Sequence, residues 1–425
     1  MLGEDAAEIR AEILKILFVT PYFMPAHHYG GPIESVYRLC LNLARLGCEV
    51  RVLTTNANGL DRVLEAGTGR EIAVAAGLDV IYTRRVMRHA VAPGLLRRIV
   101  REVRRADVVH LTAVYSFTTI PTLIACRMLG KPIVWSPRGA LQRWRGSRRV
   151  GAKWLWDRAC RRLAPRATVL HVTSDQEAAE SVRRMPRMSA VVIPNGVRMP
   201  VDVRRVAGDG RLRIGYLGRL DPKKGIENLL DAASLVMAEG ASFTLTIAGA
   251  GPGAYLLALD QRATACGLAG AVRFAGDLRG GAKRRFFETI DLLVVPSHTE
   301  NFAIVVAEAL AYGVPVIASR GTPWARLEDR GCGLWVENTP AALAAAIIRM
   351  ATLDLPAMGA RGCEWMAAEY AWPVIARDLC NTYSSLIQGR PLGAREAAAR
   401  APLGVEGYMA AGESPIAAQS PTADG

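Results

Sequence analysis

Residues 294–319 read V-V-P-S-H-T-E-N-F-A-I-V-V-A-E-A-L-A-Y-G-V-P-V-I-A-S. The stretch opens as a buried strand: Leu292–Val295 is an apolar run closed by Pro296, which has no N–H for a ladder. Asn301 has the chemistry of an N-cap, and residues 302–312 carry apolar side chains at helical spacing. Gly313 falls where a helix ends in the left-handed region, and Val314-Pro315 leads into a second strand, Val316–Ser319. Strand, loop, helix, strand is the unit of a parallel α/β sheet. The helix start should present the amides of Phe302, Ala303 and Ile304 to an anion, yet Glu300 and Glu308 flank it. An acid repels phosphate, so these glutamates suit hydroxyl groups. A phosphate that carries sugars satisfies both demands.

Outward from that stretch the same alternation recurs. Residues 15–20 form a strand, a loop with Gly30 and Gly31 follows, and residues 33–46 and 49–54 supply a helix and a second strand. There is no G-x-G-x-x-G and no acidic residue closing the second strand, so a nicotinamide dinucleotide is not the expected ligand. Further strands near 80–83, 107–111, 132–135 and 168–172 complete a first domain over 15–198. A linker at 199–210 precedes a second domain over 211–372. Residues 373–389 form a helix that crosses back onto the first domain, after a break at Trp372-Pro373. Residues 1–14 read as an extension and 390–425, rich in Ala, Gly, Pro and Ser, as a disordered tail.

Length and composition agree with two large cores: 425 residues, 51% hydrophobic and 22% charged. No apolar run approaches the ~20 residues needed to span a bilayer, and the acidic N-terminus does not read as a signal peptide. Eight scattered cysteines without C-x-x-C, and only six histidines, speak against a zinc site or a disulfide framework and for a reducing cytoplasm. Charge is uneven. Residues 1–200 hold 31 Lys+Arg against 16 Asp+Glu, whereas the remainder holds 22 against 23. Arginine clusters at 84–105 and 138–166, the second interleaved with Trp144, Trp154 and Trp156. That pattern fits either a solvated face or a surface that docks an anionic membrane or anionic lipid substrate. No nucleic-acid-binding motif accompanies the charge, so nucleic acid is not an expected partner.

Ligands of such sheets bind outside the carboxyl ends of the strands. There, residues 218–225 read G-R-L-D-P-K-K-G. A guanidinium (Arg219), an ammonium (Lys224) and the amides of a helix start make a clamp for a diphosphate and stabilise its departure without a metal.

These motifs carry a resemblance. Glu300-Asn301-Phe302-Ala303 through Glu308, the G-V-P-V-I-A-S that follows, the 218–225 loop, the P-N-G-V turn at 194–197 and Gly30-Gly31 look like retaining glycosyltransferases of the GT-B fold, family GT4. The likeness runs over residues 15–388. It implies a doubly wound α/β architecture of two Rossmann-like domains facing a cleft, with acceptor on the first and a nucleoside-diphosphate sugar, UDP or GDP, on the second. Arg219 and Lys224 would hold the diphosphate, Glu308 the ribose, and Glu300 the transferred sugar beside the amides of Phe302 and Ala303. Gly31 would touch the diphosphate from the opposite lobe, and Asp277 would lie near the base. Retention would follow a front-face path in which the leaving phosphate helps deprotonate the acceptor. The absence of D-x-D agrees with metal independence.

Two departures stand out. The family's E-x-F-G reads E-N-F-A here, and Arg138 in S-P-R-G stands where several relatives carry a histidine. Arginine cannot act as a base, so Arg138 is read as a ligand for diphosphate or an anionic acceptor. His110 is the other first-lobe candidate, His298 is placed against the donor, and His27 and His28 are placed on the acceptor side. The expected activity is transfer of a hexose to a glycan or lipid-linked acceptor in cell-surface polysaccharide assembly, with peripheral attachment to the inner face of the plasma membrane. A nucleotide-sugar epimerase of the same fold and a basic nucleic-acid-binding protein are the alternatives.

Overall fold

The structure is a computed structural model that describes residues 13–26, 31–59, 61–87, 90–142 and 150–392. The first sheet contains β1 Lys15–Val19, β2 Glu49–Thr55, β3 Glu71–Ala75, β4 Leu78–Thr83, β5 Val108–Thr112, β6 Ile133–Ser136, β7 Thr168–Val172 and β8 Ser189–Val192. Its order is β3-β4-β2-β1-β5-β6-β7-β8. All neighbours are parallel except β3, an antiparallel edge strand against β4 that the sequence reading did not include. The helices of this lobe are α1 Gly31–Arg45, α2 Gly94–Arg105, α3 Thr119–Leu129, α4 Val150–Leu163 and α5 Asp175–Arg184.

The second sheet is parallel throughout. It contains β9 Leu212–Leu217, β10 Phe243–Ala248, β11 Val272–Gly276, β12 Leu292–Val295, β13 Val316–Ser319 and β14 Gly333–Val336, in the order β11-β10-β9-β12-β13-β14. Helices α6 Ile226–Ala238, α7 Gly253–Ala265, α8 Gly280–Thr289, α9 Ile304–Ala311, α10 Pro340–Ala351 and α11 Leu355–Glu369 cover it. Central strands such as β1, β5 and β12 read as near-continuous apolar runs because helices bury both of their faces.

The last helix, α12 Trp372–Ile387, belongs to the first lobe. Pro373 lies in its first turn, where the missing N–H costs nothing, so the break expected at Trp372-Pro373 is the start of this helix. Trp372, Ile375, Ala376, Leu379 and Tyr383 join Ile16, Phe18, Val36 and Leu39 in one core, with α1 and α12 on the same face of the sheet. Each of the Val, Leu, Ile and Phe side chains among them contributes roughly 1.5–3 kcal/mol of burial. On the opposite face Leu95, Ile99, Leu123, Cys126 and Cys160 bring α2, α3 and α4 against the same strands. The two passages between lobes run side by side. Val197 N donates to Tyr370 O at 2.8 Å, and Trp372 lies against Gly196 so closely that a Cβ there would enter its ring.

Candidate active site

In the second sheet β9 is flanked by β10 on one side and β12 on the other, so the winding reverses between β9 and β12. The loops after these two strands part there and leave the crevice in which doubly wound sheets hold ligands. After β9, Asp221 caps a 3-10 turn, Pro222–Lys224, its carboxylate accepting from Lys223 N at 2.9 Å. Gly225 then takes φ +62°, and a Cβ at this position would run into Pro296 O. That contact presses the two loops together: His298 N donates to Lys223 O at 2.9 Å.

Asn338, just beyond β14, holds the second loop from below. Its amide donates to Pro296 O at 2.6 Å and lies 3.2 Å from His298 Nδ1. Lys224 Nζ donates to Glu300 Oε1, and Ser297 Oγ donates to the same oxygen at 2.9 Å. Glu300 N is anchored to Gly321 O at 2.8 Å, beyond β13. Arg219 is exposed, and among the described residues no carboxylate pairs with it. The crevice thus offers one open guanidinium, one ammonium pinned to a carboxylate, and that carboxylate held by a hydroxyl. Asp277 follows β11 on the same edge of the sheet and pairs with Arg279 at 2.7 Å.

The helix after Glu300 starts later than its sequence suggests. Asn301 is not its N-cap: α9 begins at Ile304, and Ala303 is the capping residue, with φ +57° and ψ +65°. The aromatic neighbours explain the shift. Phe302 turns inward against Trp324, which donates from Nε1 to Phe302 O at 2.6 Å, and Tyr370 and Trp365 complete the cluster. Phe302 therefore braces the loop from beneath. Glu308, in the second turn of α9, receives Lys283 Nζ from α8 at 2.6 Å, a partner the sequence reading missed.

A methyl group in the left-handed region costs about 1–2 kcal/mol, more than the backbone entropy that glycine adds to the unfolded chain, about 0.5–1 kcal/mol. Ala303→Gly is therefore expected to stabilise the protein by roughly 0.5–1 kcal/mol, read as a higher Tm. A lower Tm would show that the methyl packs better than its backbone suffers.

The first lobe faces this crevice with a second strained loop. Ala113 after β5 and Arg138 after β6 both have positive φ, +67° and +54°. Arg138 is not a free ligand for a diphosphate. Its Nη1 donates to Asn195 Oδ1 at 2.6 Å, its Nε is enclosed without a partner, and its charge faces Glu177, Cys40 and Tyr383 of the first lobe. Burial pulls this guanidinium below its ordinary value, with Glu177 acting in the other direction. Glu177 is buried and takes Gly139 N at 2.6 Å and Thr173 N at 2.8 Å, so it holds the S-P-R-G loop against α5.

Asn301 has a different task from capping. With its amide turned so that Nδ2 faces the carboxylate, it donates to Glu177 Oε2 at 3.1 Å and Oδ1 accepts from Thr173 Oγ1 at 3.0 Å. The residue after Glu300 is thus a point of contact between the two lobes.

His110 is likewise corrected: it is fully buried, stacked on Phe18, and both ring nitrogens are engaged. His171, which the sequence reading passed over, shares its network. Because His171 Nε2 lies 2.9 Å from Ile193 O, it must carry the proton there, and every other bond follows in turn. Ser136 Oγ donates to His171 Nδ1 at 2.8 Å, His110 Nε2 donates to Ser136 Oγ at 2.7 Å, and Tyr383 OH donates to His110 Nδ1 at 2.5 Å. One sequence signal could have found the pair: D-V-V-H and T-V-L-H each carry a histidine in a short apolar run that reads as a buried strand. His27, His28 and Gly30 lie outside the described residues; Gly31 opens α1.

Two doubly wound α/β lobes joined by adjacent passages, with a crevice at the switch point of the second, make a GT-B fold. Residues 204–358 match the family model Glycosyl transferases group 1, and residues 29–199 match Glycosyltransferase Family 4. The chain belongs to this glycosyltransferase family and is a hexosyltransferase that uses nucleotide sugars. It is 28% identical to a GDP-mannose-dependent alpha-mannosyltransferase of Mycolicibacterium smegmatis over 90% of this chain and 100% of that one. It is 25% identical to the GDP-mannose:cellobiosyl-diphosphopolyprenol alpha-mannosyltransferase of Komagataeibacter xylinus, over 90% and 95%. Among solved structures, sucrose-phosphate synthase of Thermosynechococcus elongatus superposes with a TM-score of 0.66 at 20% identity, over 88% of this chain and 100% of that one, which shows the shared fold.

Proposed function

We propose that this enzyme transfers a mannosyl residue, with retention of anomeric configuration, from GDP-mannose to a lipid-linked glycan at the surface of an anionic membrane. The observation that carries the reading is the grouping of Arg219, Lys224 and Glu300 at the switch point of the second sheet. Arg219 takes a phosphate oxygen by a fork, and Lys224 moves from Glu300 to the leaving diphosphate. Glu300, released, accepts hydroxyls of the sugar, and Glu308 exchanges Lys283 for ribose hydroxyls. His298 flanks the sugar, and Asp277 lies toward the base. Both cations meet charge that grows as the glycosidic bond breaks, so they favour the transition state over the ground state.

No protein base is needed at the acceptor. His110 and His171 are buried with both nitrogens engaged. The departing phosphate oxygen takes the acceptor proton on the same face, which gives retention. The donor is supported by the names of both relatives that align over nearly their whole length, and the lipid-linked acceptor by the name of the Komagataeibacter xylinus relative.

The membrane is supported by the outer face of α2, α3 and α4. Leu96, Val100, Met128, Trp154 and Leu155 are exposed there among arginines. The only acids between residues 94 and 166 are Glu102, Asp107 and Asp157. Glu102 and Asp157 are buried and paired with arginines, and Asp107 accepts from Lys15 N. Such a face favours an anionic interface, at about 1 kcal/mol per basic residue near the surface. No single helix among the described residues is long and apolar enough to cross a membrane.

Thermal shift with GDP-, UDP- and ADP-sugars tests the donor. A sugar nucleotide at a hundred times its Kd should add about 2.7 kcal/mol, with GDP-mannose the largest, and label should pass from it to a polyprenyl-diphosphate glycan in phosphatidylglycerol vesicles. If no nucleotide sugar raises Tm and Arg219→Ala changes nothing, the donor site has been misplaced.

A further inference from the structure

Cys48 and Cys380 are 332 positions apart in sequence, yet their sulfurs lie 3.6 Å from each other. Cys48 ends the turn between α1 and β2, and Cys380 lies in α12, the helix by which the chain returns from the second lobe. Cys48 is buried and Cys380 is partly exposed. No other two of the eight cysteine sulfurs are in hydrogen-bond contact. A disulfide needs the sulfurs at ~2.05 Å, so the two side chains must turn toward each other from the 3.6 Å contact. We propose that Cys48 and Cys380 form a redox-sensitive dithiol, oxidised by hydroperoxides to a disulfide that staples the returning helix to the first lobe.

The chemistry suits an asymmetric pair. The hydrogen bond between the two sulfurs draws the Cys48 thiol below its ordinary value and, together with burial, pushes the Cys380 thiol up. The Cys48 thiolate attacks an oxygen of hydrogen peroxide, the O–O bond breaks, and Cys48 sulfenic acid forms as hydroxide leaves and takes up the proton that the Cys48 thiol gave to solvent, which makes one water. The Cys380 sulfur then attacks the sulfenic sulfur, the S–S bond forms, and the sulfenic hydroxyl leaves with the Cys380 proton as a second water. The closed loop contains the entire second lobe, so the cross-link restricts the unfolded chain strongly. It also fixes α12 beside the two passages between lobes, independently of which sugar the enzyme transfers.

The test treats reduced, full-length protein with hydrogen peroxide and counts thiols after denaturation. The count should fall by two from eight, a non-reducing peptide map should join the peptides of Cys48 and Cys380, and dithiothreitol should reverse both. Oxidation should raise Tm by several degrees, and neither Cys380→Ser nor Cys48→Ala should show that rise. Retention of all eight thiols, a cross-link between any other pair, or an unchanged Tm on full cross-linking overturns the proposal.

Discussion

Replacing Lys224 by alanine is expected to lower kcat/KM for sugar transfer by about 10²–10³, the usual loss when one preorganised donor to developing negative charge is removed. The ammonium is suited to this role because the fold positions it twice. The Asp221-capped turn fixes its backbone, and Glu300 fixes its Nζ at the crevice of the switch point. Lys223, one residue earlier, is a natural control. Its carbonyl holds His298 N, and burial draws its ammonium below the ordinary value. Lys223→Ala keeps that carbonyl and should therefore lower kcat/KM far less than Lys224→Ala.

A purely structural ion pair would behave differently. In that case Lys224→Ala and Glu300→Gln would each cost stability, and the double variant would recover it. If both groups act on the donor, the single variants lose activity at nearly unchanged Tm, and the double variant stays inactive. Steady-state rates with saturating acceptor, read beside Tm, separate the two. A Lys224→Ala enzyme within threefold of the parent would remove the lysine from the mechanism.

The parts of this molecule that were legible beforehand are those set by local chemistry. β12 and β13 agree with the residues assigned from Leu292–Val295 and Val316–Ser319, because Pro296 and Gly313 punctuate them. The G-R-L-D-P-K-K-G loop was read as ending at a helix start, and Gly225 leads directly into α6. What failed was set by distant partners. Asn301 has the composition of an N-cap, but Trp324 and Tyr370 bury Phe302 and turn the chain, so Asn301 meets Glu177 of the other lobe instead. Arg138 reads as a free cation until Asn195 and Glu177 are folded around it. Lys283 and Glu308 are 25 residues apart, a separation that no helical spacing suggests.

Acidification from pH 7 to 5.5 should destabilise the first lobe through the chain Tyr383–His110–Ser136–His171–Ile193. Burial is the first cause that lowers both imidazoles: His110 lies well below its ordinary value and His171 is brought down to about 3, with the Arg138 cation adding to each. Their folded pKa values are thus below the unfolded value, near 6.5. The stability they support is complete above that value and is lost as pH falls toward the folded one, because the unfolded chain binds protons that the native chain refuses. Each histidine contributes a slope of about 1.4 kcal/mol per pH unit in this window, so the pair costs about 3 kcal/mol by pH 5.5.

For a lobe of this size that is a fall in Tm of roughly 5–10 °C. His171→Asn keeps an acceptor for Ser136 while removing one titration, and should halve the slope even if it lowers Tm at neutral pH. Tyr383→Phe should leave the slope but cost about 1–3 kcal/mol at all pH values, since His110 Nδ1 then stays buried without a donor. Melting curves at four pH values for the three proteins decide the matter. A slope that His171→Asn leaves unchanged would assign the acid sensitivity to carboxylates elsewhere in the chain.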